Sequence, residues 1–267
     1  MLHVCICSSD RHTSIIKKTL STLRRANVTE VTIVVPHEEL ETYRAALEDA
    51  PILTLLIGSE KGLVKQRKKF RSIVPEGDRI LFIDDDISAI KVKGPDRLYH
   101  LTNLHALADL AFSLLGDSLL WSVYPITNFL FMKHQVSRGN CYCVGAMYGI
   151  INDTRLKEPE IDECEDYARQ LSEQSQGRPP IRLDFVGLQT LYYKNKGGMQ
   201  QERNPAIRQS AILNLEEWYP SMVKSVLPKN LIPDLRFRQR SVKEPVTAVP
   251  ASLTAQSIVA IIPSLSS

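Results

Sequence analysis

The first ninety residues alternate short apolar runs with amphipathic stretches. Leu2 to Cys7 is an apolar run broken by the polar Ser8-Ser9-Asp10. Thr13 to Ala26 places Ile15, Ile16, Leu20 and Leu23 at helical spacing, which predicts a helix. Val31 to Val35 predicts a second strand, ended by Pro36, and Glu38 to Ala50 a second helix with Leu40, Tyr43 and Leu47 on one side. Leu53 to Ile57 reads as a strand, Gly58-Ser59 as a turn, and Gly62 to Ile73 as a third helix. Arg79 to Ile83 is a fourth strand that ends in Asp84-Asp85-Asp86. Strands alternating with helices of this length predict right-handed crossovers. The expected fold class is therefore α/β and Rossmann-like, with a mostly parallel sheet flanked by helices.

The rhythm changes after residue 90. Leu101 to Leu115 predicts a helix, Leu119 to Tyr124 and Cys141 to Ile150 predict strands, Ile161 to Glu173 a helix, and Ile181 to Val186 a short strand. Gly197-Gly198 marks a loop. No βα unit repeats here, so this half is expected to extend the same sheet, giving one domain over residues 1–240. From Ser241 the chain carries three prolines among small residues, and 241–267 is expected to be a mobile tail.

Composition narrows the class without naming a function. At 267 residues, 43% hydrophobic and 24% charged, the chain is neither a coiled coil, a collagen nor a disordered acidic segment. A net charge of +3, from 33 basic and 30 acidic side chains, is too balanced to name a polyanionic partner. No apolar run reaches the length of a membrane-spanning helix, so no membrane association is expected. Met1 leads into apolar residues without a basic segment or cleavage site, so a secretory signal is not expected and a cytoplasmic location is. Five cysteines, an odd number spread thinly, exclude a disulfide-stapled scaffold. Cys5 with Cys7, and Cys141 with Cys143, read as buried small hydrophobes on strands; zinc sites usually space such pairs more widely.

Three clusters carry candidate chemistry. Ligands of open α/β sheets bind beyond the carboxyl ends of the strands, which sets Ser8, Ser9 and Asp10, then Gly58, then the three aspartates along one rim. Successive carboxylates there repel one another unless a cation joins them, and hard oxygen ligands suit Mg2+ or Mn2+ bound with a diphosphate. An acidic turn is the simpler alternative, but the apolar fourth strand delivers these acids to the ligand rim. On the third helix Arg67 lies within about 40° of Leu63, on the apolar side, and so needs a partner there. That partner is a structural carboxylate, a rim aspartate or a bound nucleotide. Lys65, Lys68, Lys69 and Arg71 read as a solvated face. Glu163, Glu165 and Asp166 open a helix, where acids complement the helix dipole or supply a general base. Spacing does not choose between Glu165 and Asp166. Gly197-Gly198, after Lys194 and Lys196, suits either a phosphate loop or an ordinary turn.

Taken in order, these pieces resemble a family. Ile83-Asp84-Asp85-Asp86-Ile87 at the end of a βα-repeat half resembles the DxD motif of GT-A glycosyltransferases. More closely, the chain resembles the TET/JBP-associated glycosyltransferases of phages, relatives of the base J glucosyltransferase. The matching pieces are Ile6-Cys7-Ser8-Ser9-Asp10-Arg11, Pro36-His37-Glu38-Glu39 with Tyr43, Lys61-Gly62-Leu63-Val64-Lys65-Gln66-Arg67, and the DDDI. Then follow Val144-Gly145 with Tyr148-Gly149, Glu165-Asp166-Tyr167, and Asn195-Lys196-Gly197-Gly198-Met199-Gln200.

The resemblance implies transfer of a sugar from a nucleotide-sugar donor, UDP-glucose in first place, to hydroxymethylated pyrimidines in DNA. Residues 1–90 would bind the donor and 91–240 the acceptor. Asp86 and Asp84 would hold Mn2+ or Mg2+, with Asp84 also touching the donor ribose or sugar and Asp85 beside them at the donor. Ser8 and Arg11 would line the nucleoside pocket, with Arg67 alongside. Asp166 would deprotonate the acceptor, with Glu165 the adjacent catalytic candidate, and Gly197 and Gly198 would close over the diphosphate. Two positions depart from the pattern. The histidines stop at His134, so the late histidine that many GT-A enzymes give the metal has no counterpart, and Lys68 follows Arg67 where the family tends to place Asn.

Rival expectations are a glycan or protein acceptor, a non-catalytic DNA-binding module, and a nucleotidyltransferase. The last usually wants a glycine-rich loop after the first strand, and Ser8 to Thr13 contains no glycine. Trp121 to Pro125 and Phe129 to Met132 read as core or as acceptor-stacking groups. If DNA is the acceptor, Lys65, Lys68, Lys69, Arg71 and the Arg236-to-Arg240 cluster are its expected phosphate contacts.

Overall fold

Val4 and Ile6 of the first strand are buried on one face of a sheet and Cys5 on the other, the two-residue period of a strand covered on both sides. The structure, a computed structural model, describes residues 1–190, 204–227 and 234–245. Strands β1 (Leu2–Cys7), β2 (Glu30–Pro36), β3 (Leu53–Ser59) and β4 (Arg79–Asp84) lie parallel in the order β4-β1-β2-β3. Helix α1 (His12–Ile15), a π turn (Ile16–Leu20) and α2 (Ser21–Arg25) join β1 to β2. A 3-10 turn (His37–Glu39) and α3 (Leu40–Ala46) join β2 to β3. This helix ends at Ala46, short of the expected Ala50: Leu47 already leaves helical geometry at φ −95°, ψ 3°, and Pro51 steers residue 50 away from it as well. Helix α4 (Leu63–Ile73) leads back to β4 on the far side of β1. The chain therefore reverses its direction of travel between β1 and β4, which opens a crevice at their carboxyl ends.

The second half extends this sheet with β5 (Ala89–Lys93), β6 (Leu98–His100), β7 (Leu120–Tyr124), β8 (Gln135–Arg138), β9 (Met147–Ile151) and β10 (Ile181–Gln189). With β13 (Val242–Pro245) at one edge, the order is β13-β8-β10-β7-β9-β4-β1-β2-β3, with β5 on β10 and β6 on β5. Strand β9 runs antiparallel between β4 and β7, and β7 and β10 run parallel to each other, so most strands point one way. Helix α5 (Leu104–Ser113) starts where the Asn103 side chain accepts the Ala106 N–H at 3.0 Å. Helices α6 (Glu165–Ser175) and α7 (Pro205–Trp218) pack with a small antiparallel sheet, β11 (Val223–Val226) and β12 (Asp234–Phe237), around Leu171, Ile212, Leu215 and Leu235. No described helix is long and apolar enough to cross a membrane.

Several boundaries differ from expectation for local reasons. Residues 141–146 are not strand; their backbone groups bond to side chains of α6 instead. Cys141 and Cys143 thus sit in a loop, and all five cysteines are free thiols. Helix α6 begins at Glu165, not Ile161, because Cys164 adopts the left-handed φ of 59°. Glu163 lies just ahead of the helix. The expected tail is ordered at its start: β13 (Val242–Pro245) pairs antiparallel with β8, while 246–267 lie outside the described residues. Trp121 is fully buried and meets the Phe112 ring edge-on, so it belongs to the core. A Cβ on Gly149 would come within 2.1 Å of the Trp121 indole nitrogen, which requires glycine there.

Candidate active site: a carboxylate-lined cleft

The crevice at the β1/β4 switch opens into a cleft of about 430 Å³, a volume suited to a small organic ligand. Ser8, Arg11, Asp84, Asp85 and Asp86 line it together with Arg67, Tyr142, Gly145, Glu165 and Asp166. The structure brings together Ser8, Ser9, Arg11, Arg67, the three aspartates, Glu163, Glu165 and Asp166 at this cleft; Asp10, whose N–H donates to Glu39, and Gly58 do not line it, and Gly197 and Gly198 lie outside the described residues.

The three aspartates diverge as the chain leaves β4. Thr19, in the π turn, shapes this exit by donating its hydroxyl to the Asp84 carbonyl at 2.8 Å and accepting the Ile87 N–H at 2.9 Å. Asp85 turns inward and is buried. It accepts from the Ser8 hydroxyl at 2.6 Å and from the Arg11 guanidinium at 2.6 Å. Ser8 also lies 2.6 Å from the buried Tyr43 hydroxyl. Asp85 and the Ser8 hydroxyl therefore build the rim, and neither is left as a ready donor contact. Asp86 accepts from Thr190 at 2.8 Å and from Arg11 at 3.2 Å. Asp84 faces the cleft with 40% of its side chain exposed and lies 3.8 Å from Arg67.

Desolvation, then the charges of Asp86, Asp85 and Glu165, push the Asp84 carboxyl up to about 8 against the pull of Arg67. Though its side chain opens to the cleft, the atoms packed around the carboxyl make desolvation the main cause. Among the described residues no group of three or more His, Cys, Asp or Glu side chains is arranged to hold a metal. Mg2+ and Mn2+ need only one or two carboxylates when a diphosphate supplies further oxygens. Asp84 and Asp86, two carboxylates that both line the cleft, fit that limited role.

Arg67 is 2% exposed and answers the question its helical position raised. Its partner is structural: the guanidinium meets Glu165 Oε1 at 2.6 Å and donates to the Gly145 carbonyl at 3.1 Å. Glu165 Oε2 meets Arg169 at 2.6 Å, and Arg169 reaches Glu158 at 3.4 Å. Glu158 in turn pairs with Arg71 at 3.0 Å. A buried chain of alternating charge thus runs from Asp84 through Arg67, Glu165, Arg169 and Glu158 to Arg71. The Tyr148 ring lies against two of its cations, 5.0 Å from Arg67 and 4.3 Å from Arg169. Two sequence expectations change here. Glu165 has both oxygens held by guanidinium groups and is not placed as a base. Arg71 is not part of a solvated face; it also donates to the carbonyls of Asp153 and Leu156. Burial raises the Glu165 carboxyl, but Arg169 and Arg67 outweigh it and hold it below the usual range. A Cβ on Gly145 would sit 2.5 Å from Glu165 Oε1, so only glycine lets the loop approach this chain of charges.

Asp166 differs from its neighbour. Its Oδ2 accepts the Tyr142 hydroxyl at 2.6 Å and the Gly145 N–H at 3.3 Å, and its Oδ1 accepts the Tyr167 N–H at 2.9 Å. Burial, then the charge of Glu165, raises its carboxyl above the usual range. It meets no guanidinium within ion-pairing distance among the described residues, so its raised carboxyl is the more basic of the two, whereas Glu165 is held as an anion by Arg67 and Arg169. The sequence reading did not single out Tyr142, Thr190 or Asp162. Asp162 accepts the Val64 N–H at 2.8 Å and so caps α4 from a distant part of the chain. Tyr142 and Thr190 give no local signal, because each gains its place from long-range pairing.

No protein-family model matches the chain, and no curated protein matches it. Among solved structures, it is similar to CMP:2-keto-3-deoxy-manno-octonic acid synthetase complexed with CTP, at 12% identity over 81% of this chain and 99% of that one, with a TM-score of 0.43. It is also similar to apo-UDP-glucose pyrophosphorylase, at 12% identity over 72% and 92%, TM-score 0.44. A third is 4-diphosphocytidyl-2C-methyl-D-erythritol synthase from Anaerococcus prevotii, at 9% identity over 66% and 77%, TM-score 0.36.

Proposed function

We propose that the protein is a metal-dependent glycosyltransferase that moves a sugar from a nucleotide-sugar donor to a hydroxyl acceptor. The observation that carries this reading is that Asp84, Asp86 and Asp166 line one cleft. The donor is UDP-glucose in first place, and the acceptor a hydroxymethylated pyrimidine in DNA, both taken from the ordered motifs that resemble the phage family. Residues 1–90 form the donor half and 91–240 the acceptor half.

In this reading Asp84 and Asp86 would hold Mn2+ or Mg2+, and the bound ion would supply charge stabilisation to the departing diphosphate. Arg11 holds Asp85 and Asp86 in place, and the backbone around Ser8 borders the nucleoside. Arg67, fixed by Glu165, sets a positive charge beside Asp84. The acceptor oxygen bonds to the anomeric carbon as the carbon–phosphate oxygen bond breaks, its electron pair leaving with the diphosphate. The acceptor proton passes to Asp166. Gly197 and Gly198 are assigned to the diphosphate side. The exposed Lys65, Lys68, Lys69, Arg236 and Arg240 are the contacts for a DNA backbone.

The test is a donor and acceptor screen with Mn2+, using duplex and single-stranded DNA with and without hydroxymethyl groups. Product DNA carrying one added sugar per hydroxymethyl base is the expected result. Sugar release to water with unmodified DNA would move the acceptor to a glycan or protein. Metal-independent DNA binding without turnover would contradict the enzyme reading.

A further inference from the structure

Tyr142 belongs to none of the motifs that define the cleft, yet its hydroxyl makes the shortest bond to the proposed base. We infer that Tyr142 is the positioning residue for Asp166, fixing the carboxylate so that Oδ1 is the oxygen left to take the acceptor proton. The inference rests on Asp166 being the base.

Each oxygen of an ionised carboxylate offers about two acceptor positions. Oδ2 fills both, with the Tyr142 hydroxyl and the Gly145 N–H. Among the described residues Oδ1 takes only the Tyr167 N–H, which leaves one position for a substrate hydroxyl. The tyrosine is itself held on several sides. Its ring stacks on Tyr167, with centroids 4.9 Å apart and planes at 29°, and Tyr167 lies 5.7 Å from Phe237. Its carbonyl accepts from Arg182 at 3.0 Å. The next N–H, of Cys143, donates to Gln170 at 3.0 Å, and Gln170 donates to the Gly139 carbonyl at 3.1 Å. Gln174 also donates to the Asn140 side chain. Asp166, Gln170 and Gln174 are four residues apart and form one stripe of α6. The helix that carries the base therefore also clamps the loop that carries its hydrogen-bond donor.

The charged and titratable groups that act on Asp166 or feel its charge are Glu165 and Arg169 on its own helix, Cys164 ahead of it, Tyr167, and Tyr142 and Cys143 from the loop. Arg169 is committed to Glu165 and Glu158. Tyr142 is thus the side chain from the facing element that favours the ionised form. In the transfer step the acceptor oxygen bonds to the anomeric carbon, the diphosphate leaves with its electron pair, and the proton goes to Oδ1. Loss of the tyrosine hydroxyl removes a donor to the carboxylate, disfavours its charged form and raises its titration midpoint.

The experiment compares the full chain with Tyr142→Phe, which keeps the ring and its stacking. Carbon-13 NMR of aspartate-labelled protein, with the signal assigned by Asp166→Asn, reads the midpoint of Asp166 directly and needs no substrate. The midpoint is expected to rise by about one pH unit in Tyr142→Phe, as a lost hydrogen bond to a charged group implies. In turnover, kcat should fall roughly tenfold, with the acidic limb of its pH profile moving by the same amount and the donor KM within about twofold. An unchanged midpoint, or an unchanged kcat and pH profile beside an inactive Asp166→Asn, overturns the inference. Wild-type transfer by Asp166→Asn would sink the base assignment instead, and the NMR midpoints would still decide whether Tyr142 holds Asp166.

Discussion

Asp166 and Glu165 are adjacent carboxylates with opposite surroundings. Glu165 sits between Arg67 and Arg169, while Asp166 takes only hydroxyl and amide donors. Replacing Glu165 by Gln leaves two buried guanidinium groups facing each other and should cost about 3–5 kcal/mol, read as a lower midpoint in denaturant unfolding. The sign of its pH dependence follows from its lowered carboxyl. The stabilisation is present above the ordinary value of 4.5 and is lost as pH falls through the lower folded value. Acid titration of stability should show this loss in the wild type and not in Glu165→Gln. Asp166→Asn should instead keep the fold and lower kcat by about 10²–10⁴-fold, measured at saturating donor. The sequence named both acids but gave no ground to separate them. The partners that do so, Arg169 four residues along the same helix and Tyr142 on a loop, act through tertiary contacts.

At the scale of elements, the first ninety residues were legible because each strand is apolar on both faces and each helix is amphipathic. Strands β1 to β4 and helix α4 appear within a residue or two of expectation. Helix α7 was missed, and so were strands β5, β6, β8, β11, β12 and β13. These strands are three to five residues long and mix Lys, Arg, Gln and His with their apolar residues, so they form through pairing rather than pattern. The stretch from Cys141 to Ala146 reads as strand by its apolar content, yet Gln170 and Asp166 take its N–H groups at Cys143 and Gly145 and hold it as a loop beside the cleft. Gln170→Ala should free this loop. Hydrogen exchange at residues 141–145 is expected to quicken while exchange in β4 and β1 stays unchanged. Gly145→Ala drives a methyl group against Glu165 and should destabilise by about 1–3 kcal/mol.

Over the whole molecule, the reversal of chain direction between β1 and β4 places the acidic end of β4 beside Arg67, and α6 brings Asp166 to the same cleft. The net charge of +3 hides this arrangement, because acids gather in the cleft while Lys68, Lys69, Arg236 and Arg240 are exposed. The rim was legible from the motif at the end of β4. The inward turn of Asp85 was not, since it depends on Ser8 and Arg11, more than seventy residues away in the chain. Asp86→Asn should retain the fold and abolish metal-dependent turnover, and removal of divalent ions from the wild type should reproduce that loss in the same assay. The most direct measurement follows sugar transfer from a nucleotide-sugar donor to hydroxymethylated DNA, in Mn2+, by the wild type and by Asp166→Asn. Glycosylated DNA from the wild type, with a loss of about 10²-fold or more in the variant, is the predicted result. Undiminished transfer by Asp166→Asn, or pyrophosphate release from a nucleoside triphosphate in place of sugar transfer, would contradict it.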